Sequence, residues 1–194
     1  MPSYVDNNTQ IPAARVKMND DVTNYVSRPW YRWFFNTYEA IEAGRRYGSF
    51  YSTATQTAAL ANTAYGMTFN TTSSNYGVSV GTPTSRVYVN NTATYTAQFS
   101  AQLSNTDGSA HNIYAWARVN GTTNSTAVKA EVAANSTAAA ILTGDFVLNL
   151  TTGDYFEIMW STDNTGVRLS PVAASSPVPA VPSVVLTVTS SVGA

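Results

Sequence analysis

Side chains able to move protons, hold cations or attack bonds are scarce in this chain of 194 residues. It has one histidine, His111, and no cysteine. A serine triad or a transition-metal site would have to be built around that single imidazole, and a Cys/His zinc site is excluded. His111 follows Asp107-Gly108-Ser109-Ala110 at a strand start and reads as a solvated or hydrogen-bonded turn residue rather than a general base. The acids that cluster in the sequence are Asp145, Asp154, Glu157 and Asp163. A correctly spaced pair of carboxylates hydrolyses glycosidic bonds, and a set of them binds calcium. The contexts here point elsewhere. Asp154 belongs to a Gly-Asp turn, a structural use of Asp. Glu157 alternates with apolar neighbours and is expected to pair with Arg118 or Arg168 across a subunit interface. No Asp-x-Asp-x-Asp-Gly, Gly-x-x-x-x-Gly-Lys or Gly-x-Gly-x-x-Gly run occurs. The expectation is a protein with no catalytic centre, metal or cofactor, and not an enzyme. Tyr76, Tyr114 and Trp116 have faces that stack on sugars, with packing in the core or between subunits as the competing use.

Charge excludes further classes. Lys and Arg number 10 and Asp and Glu 11, so no strong field recruits nucleic acid or an anionic membrane. The ions are unevenly spread. Arg15, Lys17, Arg28, Arg32, Arg45 and Arg46 lie before residue 47, with Asp6, Asp20, Asp21, Glu39 and Glu42. The remaining chain holds Arg86, Arg118, Lys129 and Arg168 as its only cations, and owes its solubility to hydroxyl and amide side chains. The N-terminus lacks the basic stretch and apolar core of a signal peptide. No apolar run reaches the roughly 20 residues that cross a bilayer. A soluble protein made in the cytoplasm is the expectation.

The elements that must position these residues fall into two regions, 1–46 and 47–194. Residues 1–26 read as an extended arm, too poor in apolar residues to bury a core of their own. Ser27 is placed to cap a helix with Pro29 in its first turn. Trp30, Trp33, Phe34, Tyr38 and Ile41 then recur at helical spacing, and Gly44 is a stop signal. The spacing predicts a short amphipathic helix over 28–43 whose aromatic face anchors the chain to a partner. Packing against its own sandwich or bundling with its mates competes with that use, as does, more remotely, a membrane interface.

From Gly48 the period becomes two. Strands are predicted at 48–55, 64–69, 75–80, 84–90, 93–104, 111–119, 126–132, 139–150, 154–161, 166–170 and 183–190. Turn signals separate most of them, among them Asn90-Asn91, Asp107-Gly108, Asn120-Gly121 and Thr152-Gly153. Tyr95, Ala97, Phe99, Ala101 and Leu103 alternate with Thr94, Thr96, Gln98, Ser100 and Gln102, one dry face against one wet face. Many short strands without helical patterns between them mean an all-β sandwich or barrel. Two strands are apolar on both faces: Tyr155 and Met159 alternate with Phe156, Ile158 and Trp160, and Tyr114 and Trp116 with Ile113, Ala115 and Ala117. A lone sandwich needs one apolar face per strand, so these extra faces imply contact with neighbouring subunits, or cover by a loop or by the arm.

Ala93-Thr94-Tyr95-Thr96-Ala97-Gln98-Phe99, Ala115-Trp116-Ala117-Arg118-Val119-Asn120-Gly121, Phe146 to Phe156 with its Gly-Asp turn, and the final run Val184-Val185-Leu186-Thr187-Val188 together resemble the jelly-roll domain of complement globular heads and tumour necrosis factors. Ala93 stands where that family has glycine. The resemblance covers about 48–192. It implies a jelly-roll β-sandwich and a homotrimer, with Tyr114, Trp116, Tyr155 and Met159 as interface candidates. The whole chain, with its Trp-Tyr-Arg-Trp-Phe-Phe helix followed by Gly-Ser-Phe-Tyr-Ser-Thr, looks like virion proteins of tailed bacteriophages. That likeness implies a capsid decoration or cement protein, assembled in the host cytoplasm and bound to the major capsid protein or tail components. The alternative it leaves open is a tail-appendage or fibre protein that binds a host receptor or glycan, through loops such as 104–112 and 162–167.

Overall fold

The computed structural model describes residues 11–43 and 46–191. Residues 1–10, the Gly44 stop and Arg45 lie outside the described residues. One helix, α1 (Arg28–Ala43), precedes thirteen strands: β1 (Tyr47–Ser52), β2 (Gln56–Thr57), β3 (Tyr65–Gly66), β4 (Thr71–Tyr76), β5 (Val78–Val80), β6 (Val87–Val89), β7 (Ala93–Asn105), β8 (His111–Val119), β9 (Thr122–Val132), β10 (Ser136–Leu150), β11 (Tyr155–Thr162), β12 (Val167–Leu169) and β13 (Val184–Ser191).

The strands form two sheets. The first runs β2-β12-β7-β13-β1-β4, with β10 also joined to β7; the second runs β5-β6-β11-β8-β9, with β3 joined to β11. Taking β1, β6, β7, β8, β9, β10, β11 and β13 as eight principal strands in chain order, the first sheet reads 1-8-3-6 and the second 2-7-4-5. Every pairing is antiparallel. This is the strand order of a jelly roll, two Greek keys wrapped into a sandwich.

The period of two explains the layers. Tyr95, Ala97, Phe99, Ala101 and Leu103 of β7 are all buried between the sheets, against Phe50, Phe156, Trp160 and Leu186. Phe99 stacks on Phe146 of β10 with ring centroids 6.1 Å apart. That packing leaves no room opposite Gly144, where an added Cβ would lie 2.7 Å from the Phe99 ring. Asn120 and Gly121 both have positive φ, 48° and 83°, the signature of a two-residue I′ turn. It joins Val119 directly to Thr122 in the β8–β9 ladder. At β7's first residue lies the end where the N-terminal segment enters: Arg46 Nε donates to Asn91 Oδ1 at 2.8 Å. The strand's thirteen residues carry the chain about 40 Å to the other end.

Several elements differ from the sequence pattern. Residues 64–69 form a ladder with β11 at Tyr65–Gly66, which the Met67 N–H continues to the Ile158 carbonyl at 2.8 Å. Phe69 N–H bonds the Thr84 carbonyl instead, and both side chains enter the core. The predicted 75–80 strand is divided at Gly77, whose φ of 70° lets it cross between sheets beside Arg46. Residues 171–182 form an unforeseen arm closed by the bridges Val172–Val181 and Ser175–Val178.

The N-terminal segment is not extended over its described part. Asp20 Oδ1 accepts from the N–H groups of Val22 and Thr23, both at 2.9 Å, forming a turn that brings Asn19 against Val26. The chain therefore doubles back over the start of α1. The Ser27 carbonyl accepts the first helical bond from Tyr31 N–H, but its hydroxyl is turned to the Lys17 carbonyl, to which it donates at 2.7 Å, and among the described residues no N–H of the first turn donates to it.

Candidate interaction surfaces

The arm divides the aromatic face of α1. Trp30 Nε1 donates to the Val16 carbonyl at 2.9 Å, and Trp30 and Trp33 meet edge to face at 6.0 Å, both half-buried. Trp30 ties the helix to the arm, and Trp33 packs against that indole. Phe34 touches both indoles, with its centroid 5.2 Å from that of Trp33 and 6.0 Å from that of Trp30, yet remains exposed. Tyr38 and Ile41 are exposed as well, and so are Tyr31 and Phe35, which stack on each other at 6.5 Å. Among the described residues, neither sheet packs along the helix. Tyr31 and Phe35 escaped the sequence reading because they continue the apolar arc past the stripe first traced.

Tyr114, Trp116, Tyr155 and Met159 all lie on the outward side of the second sheet, where Trp116 and Met159 are paired across β8 and β11. They are not equally accessible. Tyr114 is 38 % exposed, with Lys129 Nζ 5.8 Å from its ring centre. Tyr155 packs on Tyr88 at 5.4 Å and beneath the Arg86 guanidinium at 4.4 Å. Met159, at 2 % exposure, is taken up inside the protomer and offers no surface to a neighbour. Glu157 corrects another expectation. It is buried, and its carboxylate accepts from Arg118 Nε at 3.0 Å, from the same guanidinium's Nη2 at 2.6 Å, and from Ser85 Oγ at 2.7 Å. The Arg118 pair is a cross-strand contact within one protomer, not one across an interface. Arg168 reaches Thr106 instead.

The acids that cluster in the sequence are scattered in space. Asp154 sits at the end where the arm enters, accepting from Thr151 N–H at 2.7 Å, the Thr151 hydroxyl at 2.8 Å and Asn120 Nδ2 at 2.8 Å. The Thr151 N–H bond first, then those of Asn120 and the Thr151 hydroxyl, hold its carboxyl below the usual range. Asp163 lies at the opposite end, beside loops 104–112 and 162–167. Its carboxylate accepts from Asn112 N–H at 3.1 Å and lies 3.2 Å from His111 Nδ1; the other ring nitrogen is 3.0 Å from Asp107 Oδ1. The His111 contact, seconded by the Ser109 N–H, lowers the Asp107 carboxyl. Asn105, buried beneath, donates to the Ser109 carbonyl at 2.8 Å and accepts from Asp107 N–H at 2.9 Å. These contacts lock the loops together, and His111 stands among them as a structural residue. Asp145 lies across from Gln98 on the first sheet. Among the described residues, no group of three or more His, Asp or Glu is arranged to hold a metal.

A groove of about 530 Å³ runs between Tyr51 and the arm carrying Pro171, Val172, Val181 and Pro182. Its lining contains no carboxylate, imidazole or amine. The outward positions of β1, β7, β10 and β13 form most of the open face of the first sheet, rich in Thr, Ser and Gln, with exposed Ile141 and Val147 and the acid Asp145, and β12 adds Arg168 beside β7.

No family model matches the chain, and no curated protein matches it. Among solved structures it is similar to murine APRIL in a crystal structure at pH 8.5, at 11 % identity, with 74 % of this chain and 98 % of that one covered and a TM-score of 0.46. It is also similar to the globular domain of the zebrafish complement 1qA protein, at 15 % identity, with 74 % and 95 % covered and a TM-score of 0.42. The assignment of the fold rests on the strand order of the chain itself.

Proposed function

We propose that this chain is a non-enzymatic structural protein of a phage virion, a homotrimeric decoration or cement knob tethered by its N-terminal unit. The observation that carries the reading is α1, an aromatic helix that presents large apolar side chains to solvent and, among the described residues, packs along neither sheet of its own sandwich. Exposed apolar patches of this kind mark interaction sites. The trimer is assigned to the open face of the first sheet, because depletion of charge distinguishes the centre of an interface and that face carries one acid, Asp145, with one cation, Arg168, on the short strand β12. The outward side of the second sheet is a poorer choice, with Arg86, Arg118 and Lys129 at or beside its exposed aromatics. Three tethers on one knob reinforce each other, since the first attachment raises the local concentration of the next.

The test is occupancy on particles. Trp33→Ala with Phe34→Ala is expected to leave the sandwich folded and the knob detached, scored by electron microscopy with an antibody against residues 47–194. Wild-type occupancy would end the tether reading. Label confined to the tail would favour the fibre alternative. That alternative is weakened because loops 104–112 and 162–167 contain no Trp, Tyr or Phe to stack on a sugar.

A further inference from the structure

We infer that the surface received by α1 is another α1, from a second copy of this chain, lying antiparallel to it. The inference deepens the tether reading by naming the tether's partner. With Trp30 engaged by the arm and Trp33 packed on Trp30, the exposed apolar residues of the helix are Tyr31, Phe34, Phe35, Tyr38 and Ile41, at 63 %, 44 %, 45 %, 60 % and 55 % exposure. Tyr31, Phe34, Tyr38 and Ile41 make a seam, with Phe35 stacked on Tyr31 at its edge. The spacings of three, four and three along it are those of a helix–helix seam. The seam is also self-complementary: a twofold axis through position 36 sets Tyr31 against the mate's Ile41 and Phe34 against the mate's Tyr38. Isologous contacts require this property.

Charge selects the antiparallel direction. Arg28 and Arg32 occupy the first half of the helix and Glu39 and Glu42 the second. No acid stands in the first turn and no base in the last, the reverse of what a helix dipole favours. Parallel mates would put like charges side by side. An antiparallel mate brings each basic half alongside an acidic half and opposes the two dipoles.

The helix is sixteen residues, about 24 Å long. One such pair buries less than the roughly 800 Å² per partner of a stable complex, so it persists where several act together. Threefold knobs joined across twofold helix pairs close into a net, the geometry a cement layer requires.

The chain has no cysteine, which gives a direct test on the full-length protein. Tyr31→Cys and Ile41→Cys chains, oxidised as a mixture, are expected to give disulfide-linked dimers, with little from either variant alone. Reversing the charges with R28E/R32E is expected to cut the yield roughly tenfold, the combined effect of two or three exposed ion pairs. Mixing that variant with E39R/E42R chains should restore it, because an all-acidic helix then lies against an all-basic one, and so should placing all four reversals in every chain. Tyr31→Cys linking to itself as readily as to Ile41→Cys would overturn the antiparallel pair in favour of a parallel bundle. Absence of any cross-link would overturn self-pairing altogether. If Phe34→Ser still strips knobs from particles in that case, the tether reading survives and its receiving surface belongs to another protein.

Discussion

Arg118→Met tests whether the second sheet is held by a buried charge satisfied within one protomer. Glu157 is 2 % exposed and has three charge-compensating or hydrogen-bonding contacts, two from the Arg118 guanidinium and one from Ser85. Methionine keeps much of the arginine stem's volume while removing both guanidinium bonds. Breaking a fully buried ion pair from one side costs about 3–5 kcal/mol, because the remaining charge is stranded. The Arg118 side chain is 30 % exposed, so water screens part of the interaction and Ser85 still donates. The expected loss is therefore about 2–3 kcal/mol. At this chain length, each kcal/mol moves a melting midpoint by about 2–4 °C, giving a drop of roughly 4–12 °C.

The assay is thermal unfolding by circular dichroism, with protomer concentration held constant because assembly contributes to apparent stability. Adding Glu157→Gln to Arg118→Met removes the stranded charge and should recover at least half of the loss, a coupling that a double-mutant cycle resolves. Had the pair spanned an interface, the deficit would vanish on dilution to monomers. A single variant within about 0.5 kcal/mol of wild type, the range of ordinary surface changes, would refute the argument. A double variant no better than the single one would refute it too.

Gly144→Val should destabilise the sandwich by about 1–3 kcal/mol through overpacking, since the first added carbon already meets Phe99 at 2.7 Å; urea midpoints at unchanged slope would register it. The pH dependence should be acidic in origin. The carboxyls of Asp107 and Asp154 are lowered in the folded chain, the former mainly by His111 and the latter mainly by the Thr151 N–H. Stability from a lowered carboxyl is present above its unfolded value of about 3.9 and is lost as pH falls through the folded one. Melting midpoints should therefore hold from pH 7 to about 5 and fall below 4, and Asp154→Ala should be less stable at neutrality with a shallower acid decline. An identical acid decline in that variant would exclude Asp154 as a contributor.

Regular alternation made the sandwich legible and left its far contacts hidden. β7 shows why. Five buried residues at every second position declare one dry face, and a ladder that is buried on one side has only one admissible register. β8 and β11 were equally readable as apolar on both faces, but the cause was not. A Met or a Glu on the outward side looks the same in sequence whether a subunit, a loop or a neighbouring strand covers it, and Glu157 finds its Arg118 only because the ladder places the two side by side. The acids misled for a geometric reason. Nine positions separate Asp154 from Asp163, but in β11 the chain advances about 3.3 Å per residue, so neighbours in sequence stand at opposite ends of the domain.

The helix shows the same limit from another direction. Its period announced one broad apolar arc, and nothing in a period says which part of an arc is already occupied. That depends on Asp20 turning the chain back and on the Val16 carbonyl reaching the Trp30 indole, contacts made by a segment with no pattern of its own. Once the arm claims Trp30 and Trp33 packs against it, the exposed remainder is narrower than the whole. A four-residue seam whose members exchange places under a twofold axis has different requirements from a greasy patch. It asks for a partner of the same length and opposite direction, and a second copy of α1 satisfies both.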